Sequence, residues 1–140
     1  MITYTNIVKT KVLDPLKDLL LDEFPQVNVS YEQDVEGGFP SLLVIRPTAE
    51  KLIRYTSAGQ ERNYSISVSY FERFGGNRPK NRLEKITETA ERLKRLMYNN
   101  MNYSGYWLNG RVTGINYNLE LPDEYSGAEL TFECQVSEII

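Results

Sequence analysis

Between Asn63 and Tyr70, apolar and polar residues alternate without a break. Tyr64, Ile66, Val68 and Tyr70 fall on one side, and Asn63, Ser65, Ser67 and Ser69 on the other. A period of two over this length predicts a strand with one buried face. The serine face is neither charged nor greasy, so it suits either contact with another protein surface or open water. Shorter alternations run through Val27, Val29 and Tyr31, through Ile115, Tyr117, Leu119 and Leu121, and through Leu130, Phe132, Cys134 and Val136. Leu42-Leu43-Val44-Ile45 is apolar throughout, which predicts a short strand buried on both faces, with Pro47 ending it or placing it near an edge. Lys51 to Tyr55 and Gln60 to Phe71 are expected to pair as a long hairpin around Thr56-Ser57-Ala58-Gly59, whose tip is small and polar. Asn109-Gly110 signals another hairpin, between Tyr106-Trp107-Leu108 and Arg111 onward.

Two segments show helical spacing instead. Val8, Val12, Leu16, Leu19 and Leu20 form one stripe, closed by Phe24-Pro25. Within it, Asp14-Pro15 resembles a cap followed by a first-turn proline, so the helix is expected to restart or bend there. Leu83, Ile86, Ala90, Leu93, Leu96 and Met97 form the second stripe, with Asn81 as its cap and Asn99-Asn100 at its end. Its polar face offers the pairs Glu88–Arg92 and Glu91–Arg95. The order is α-β-β-β-β-α-β-β. It predicts one α+β domain over residues 1–140: two main helices packed on one face of a twisted, mostly antiparallel sheet, with the hairpin projecting.

Composition narrows the chemistry. A chain of 140 residues suits a single domain, burying roughly 68–70% of the surface its unfolded form exposes. The 16 basic and 19 acidic residues give a formal charge of −3, which argues against a dedicated nucleic-acid binder. No apolar run approaches the ~18 residues of a membrane span, and the N-terminus lacks a signal-peptide pattern. The expectation is a protein made and used without crossing a membrane. There is no histidine, which removes a histidine general base, a Ser-His-Asp triad and histidine metal ligands. The one cysteine, Cys134, alternates with apolar residues and is expected to be a buried thiol. No cofactor, no metal and no catalytic residue is expected.

Weaker chemical signals each have a plainer reading. Asp34 with Glu36, and Asp123 with Glu124, could form acid sites but read as solvated turns without calcium-loop spacing. Gly75-Gly76-Asn77-Arg78-Pro79-Lys80 superficially resembles a phosphate cradle, yet lacks the Gly-Lys-Ser/Thr ending. Lys51, Arg54, Arg62, Arg73, Arg78, Lys80 and Arg82 gather around the hairpin and the following loop, with Tyr55, Tyr70 and Phe74 interleaved. They suit salt bridges in an assembly better than nucleic-acid contact. Tyr103, Tyr106 and Trp107 could form a ligand platform, though such residues more often seal a core edge or a subunit contact.

Taken in order, the segments resemble the tail terminator (tail completion) proteins of long-tailed bacteriophages. The similarity rests on the helix ending in Glu23-Phe24-Pro25, then Val29-Ser30-Tyr31-Glu32, then Val35-Glu36-Gly37-Gly38-Phe39-Pro40-Ser41 leading into an apolar strand. It continues with the strand Arg62-Asn63-Tyr64-Ser65-Ile66-Ser67-Val68-Ser69-Tyr70-Phe71, a helix and a closing hairpin. The resemblance implies a non-enzymatic virion protein, present in the host cytoplasm during assembly. Its expected form is a homo-oligomeric ring, typically a hexamer, that caps the tail tube and joins it to the head connector. It also implies contacts with the tail tube protein and head–tail connector proteins, with viral DNA passing through the lumen without sequence-specific binding, and no membrane partner. Interface residues are expected at Gly37, Phe39, Lys51, Arg54, Tyr55, Gln60, Arg62, Ser65, Ser67 and Ser69. The competing readings are a small nucleic-acid- or peptide-binding module using the basic hairpin, and another connector or tail-tube component.

Overall fold

The computed structural model describes residues 1–31, 40–74, 81–121 and 125–139. A π-helical segment, Val8–Leu13, runs into helix α1 (Asp14–Glu23), followed by strands β1 (Asn28–Ser30), β2 (Ser41–Tyr55) and β3 (Gly59–Arg73). Helix α2 (Arg82–Asn99) and strands β4 (Leu108–Asn118) and β5 (Tyr125–Ile139) complete the chain. The strands form one open sheet in the order β1-β2-β3-β5-β4, antiparallel except for the short parallel pair β1–β2. The fold is α+β, with both helices on one side of the sheet.

That one-sidedness follows from the alternation. Tyr64, Ile66, Val68 and Tyr70 of β3 lie opposite Cys134, Phe132, Leu130 and Ala128 of β5, and all eight are buried. Val12, Leu16 and Leu20 from the first helix and Ile86, Ala90, Leu93 and Met97 from the second complete the same core. Burying a large apolar side chain is worth about 1.5–3 kcal/mol, so this shared face fixes the register of both central strands. Leu42 and Val44 are buried on the opposite face of β2, outside that core, as the unbroken apolar run implied. Cys134 is fully buried, and burial pushes its thiol up to about 12.

Several local expectations need correction. The helix does not restart at Pro15, since Asp14 keeps helical angles and the preceding turn widens into the π form. Proline has no N–H and its ring crowds the carbonyl four residues back, and a wider turn accommodates both. Pro47 does not end its strand either. β2 continues to Tyr55, so two expected strands are one. Beyond Val44 no strand among the described residues pairs with the outer edge of β2, so the missing donor costs no ladder bond to them. A bulge follows between Pro47 and Ala49, where the Thr48 hydroxyl donates to the Ser65 carbonyl at 3.1 Å.

Asn109-Gly110 does not reverse the chain. The reversal occurs at Tyr103 to Trp107, where Gly105 takes φ +86° and the Tyr103 and Trp107 backbones bond to each other. Asn109, at φ +54°, instead gives its N–H to the Asn102 side chain, and Gly110 gives its own to the Met101 carbonyl. A glycine is needed because a Cβ at position 110 would sit 2.8 Å from Trp107 Nε1 and 3.0 Å from the Phe132 ring.

The charged face of α2 also pairs differently from expectation. Arg92 reaches α1, donating to the Glu23 carboxylate and carbonyl at 2.7 Å each, with its guanidinium over Phe24. Glu91 pairs with Lys94. Asn81 begins α2 through its carbonyl, accepting from Lys85 N–H, and its side chain makes no cap. Arg92 therefore holds the two helices together at their polar rim.

Two substitutions check these features by urea denaturation. Gly110→Ala should cost about 1–3 kcal/mol through overpacking against Trp107 and Phe132. Arg92→Ala should cost about 1 kcal/mol, because its ion pair is half-exposed but its carbonyl bond and ring contact are lost with it.

Candidate assembly surfaces

The face of the sheet away from the helices is polar. Asn63, Ser65, Ser67 and Ser69 of β3 share it with Gln135, Glu133, Thr131 and Glu129 of β5, because directly opposed residues point the same way. Hydrogen bonds knit the two rows. The Asn63 amide donates to Glu133 Oε1 at 2.9 Å, the Ser65 hydroxyl to the same oxygen at 3.3 Å, and the Ser67 hydroxyl to Glu129 at 3.2 Å. Hydrogen bonds, first from Asn63 and then from Thr113 and Ser65, together with the Arg111 charge, hold the Glu133 carboxyl below its ordinary range against modest desolvation. Arg46 and Lys51 of β2 are exposed along the same face, and Arg111 of β4 lies opposite Glu133. The result is a half-exposed, mixed-charge surface whose two rows bond largely to each other, with Asn63 Oδ1 left buried without a partner.

The end of the sheet carrying Lys51, Arg54, Tyr55, Gln60 and Arg62 extends past the helices. Residues Arg46 to Lys51 of β2 are all exposed, and Tyr55 is 72% exposed. The turn closes through Thr56 N–H to Gly59 carbonyl at 2.8 Å, with the Thr56 hydroxyl accepting from Gly59 N–H at 3.0 Å. The projection is three-stranded, because β5 accompanies β3 to the pair Gly59–Ile139. Its basic residues are largely paired internally. Arg54 contacts Glu61 at 2.8 Å, Arg62 contacts Glu50 at 3.9 Å, and Gln60 donates to Glu138 at 2.9 Å. Glu50, Glu61 and Glu138 thus balance Lys51, Arg54 and Arg62. Lys51 alone of the three cations has no ion-pair partner among the described residues.

The structure therefore divides the expected site residues between two places. Ser65, Ser67 and Ser69 lie on the flat polar face, and Lys51, Arg54, Tyr55, Gln60 and Arg62 at the projecting end. Gly37 and Phe39 lie outside the described residues, as do Asp34, Glu36, Asp123, Glu124 and the Gly75–Lys80 loop. The Glu129 and Glu133 acceptors were missed, although Glu129, Thr131, Glu133, Gln135 and Ser137 alternate as plainly as the serines they face. Trp107 is buried, donating to the Asn100 carbonyl at 2.9 Å and meeting Phe132 edge-on. Tyr103 stands edge-on to both Tyr106 and Trp107. This aromatic corner seals the core. Among the described residues, no three Cys, Asp or Glu side chains converge into a metal-binding group, and no helix is long and apolar enough to cross a membrane.

No family model matches the sequence, and no curated protein does. The fold does have a counterpart. One chain from the "virion of native gene transfer agent (GTA) particle" is similar over 86% of this chain and 84% of that one, with a TM-score of 0.54 and 10% sequence identity. At that identity the similarity establishes a shared fold.

Glu133 gives the polar face a pH signature. Its carboxyl is depressed in the folded state, so its contribution is complete above the unfolded value near 4.3 and disappears as pH falls through the lower folded value. Glu133→Gln should cost about 0.5–1 kcal/mol at neutral pH, and the gap from the unsubstituted protein should close on acidification. Urea midpoints measured from pH 7 down to pH 3 check this.

Proposed function

We propose that this protein is a structural component of a phage-like virion, acting as a tail terminator: a ring that caps the tail tube and joins it to the head connector. The observation that carries this reading is the fold shared, over most of both chains, with a chain of the gene transfer agent virion. The serial motifs Glu23-Phe24-Pro25, Gly38-Phe39-Pro40 and Arg62-Asn63-Tyr64-Ser65 support the tail-terminator role within that class.

The surfaces suit assembly more than chemistry. Such a ring, typically of six in the family the chain resembles, needs a rigid wall and projecting contacts. The polar sheet face supplies a wall with few apolar groups to hold a passing DNA, and its carboxylates favour passage over capture. The projecting end supplies the contact, with Tyr55 and Lys51 free to meet an adjacent subunit or the next ring of the tube. The arginines first expected to carry that contact serve the projection's own stability, leaving Tyr55 and Lys51 to carry the joint. Internal balancing of Arg54 and Arg62 also disfavours the nucleic-acid-binding module, since phosphate contact would require breaking pairs already made.

Imaging of particles bearing the labelled chain should place it in a ring at the head-proximal end of the tail. Labels on any other virion structure would replace this reading with another component. Tyr55→Ala with Lys51→Glu should leave the isolated chain's melting temperature within about 2 °C, since neither side chain is packed. Tail completion should fall at least about tenfold, as scored by the ratio of joined to unjoined tails. Normal joining would move the contact to the serine face.

A further inference from the structure

Residues 1–6 read Met-Ile-Thr-Tyr-Thr-Asn, with Ile2 and Tyr4 on one side of an extended chain and Thr3 and Thr5 on the other. β-branched and aromatic residues in alternation are strand-forming. No strand forms here. Met1–Thr5 belong to no element and make no hydrogen bond, while Ile2 is 84% and Tyr4 82% exposed. Ordering such a segment costs about 1–2 kcal/mol per residue, and only a sheet edge can return that through ladder bonds and side-chain cover.

The sheet has one edge fitted for it. β4 is the outermost strand, and only its first residues are covered, where Asn109 and Gly110 bond to the Asn102 side chain and the Met101 carbonyl. From Val112 to Asn118 alternate backbone groups turn away from β5, and among the described residues no other strand receives them. That stretch, Val-Thr-Gly-Ile-Asn-Tyr-Asn, carries no charge and no proline. Its one guard is the bulge between Val112 and Gly114. The opposite edge is guarded throughout, by Pro47, Glu50, Lys51 and Arg54 and by bulges after Pro47 and Leu52. Tyr117 stands 46% exposed on the helix side of β4, with Ile115 half-buried beside it.

The geometry points to β4 of one copy receiving residues 1–6 of a second copy as an added strand. Ile2 and Tyr4 extend the apolar row of Ile115 and Tyr117, and Thr3 and Thr5 lie on the polar face with Asn116. The donor is a neighbour because Tyr4, Thr5 and Asn6 of the same chain lie beside Glu50, Gln60, Arg62, Tyr64 and Glu138. Those residues belong to β2, β3 and β5, and β5 separates them from β4. A strand handed from each copy to the next is a heterologous contact, which closes into a ring when its rotation permits. This rests on the self-association in the proposed function and adds the element that joins the copies.

Two experiments on the full chain test it. Ile2→Asp with Tyr4→Asp alters side chains more than four-fifths exposed in the monomer, so the melting temperature should hold while self-association, by sedimentation, weakens at least about tenfold. Equal amounts of Thr3→Cys and Asn116→Cys chains, mixed and mildly oxidised, should give a two-chain disulfide that neither variant gives alone. Cys134 is buried and stays out of the exchange. Wild-type association by the aspartate variant, or no mixed disulfide in oligomeric or persistently monomeric protein, would overturn the strand exchange. So would a disulfide formed within one chain carrying both cysteines. An intact ring in imaged particles alongside such results would leave the virion reading standing and remove only the arm.

Discussion

The 15-residue strands β3 and β5 run in register from Gly59–Ile139 to Arg73–Tyr125, and everything else is arranged around that pairing. A one-residue slip would send Tyr64, Ile66, Val68 and Tyr70 to the polar face and the serines into the core. Both helices therefore cover the same side, because there both central strands present their apolar rows. From Asn63 to Ser69 of β3 and across the facing residues of β5 the other side is polar, and its buried apolar part is confined to Leu42 and Val44 of β2 among the strand residues described. A two-layer domain with one polar sheet face is the direct outcome.

Alternation and helical spacing were sufficient to read this much from the sequence. Both helix stripes, the double burial of Leu42–Ile45, the buried thiol and the one-faced strand depend on side-chain period and apolarity, which are local properties. The misread points depend on tertiary neighbours. Asn109-Gly110 has turn chemistry, but Gly110 is there to let Trp107 and Phe132 approach. Pro47 reads equally as a stop or as an edge residue, and the outer edge of β2 decides for the second. Arg92 has a good helical partner in Glu88, yet the end of α1 offers a carboxylate and a carbonyl together. Propensity and spacing describe what a residue can do alone, whereas these positions are decided by what stands opposite.

The candidate surfaces divide along the same line. The serines were legible because they interrupt an apolar pattern, but their acceptors lie about seventy positions later, in β5. Their pairing is set by a register that no local pattern encodes. The projecting basic cluster was visible by composition, and its neutrality was not. Glu50, Glu61 and Glu138 come from three strands and meet the cations only after the sheet assembles. The surface that looked most like a binding patch is thus largely spent on its own stability.

Both long edges of this sheet show how a protein chooses its contacts. Edge strands expose ladder groups that any extended chain can use, so an edge left unguarded is either a hazard or a joint. β2 carries proline, both signs of charge and two bulges, which together block pairing along its outer side. β4 also has two register shifts, between Leu108 and Arg111 and between Val112 and Gly114, where the Thr113 hydroxyl leans toward the Thr131 carbonyl, but it has neither charge nor proline from Val112 to Asn118. Protecting one edge and leaving the other plain gives the sheet a direction. It is the arm proposed for that edge, a different surface from the one that receives it, that would make the contact head to tail, the kind from which a ring is built.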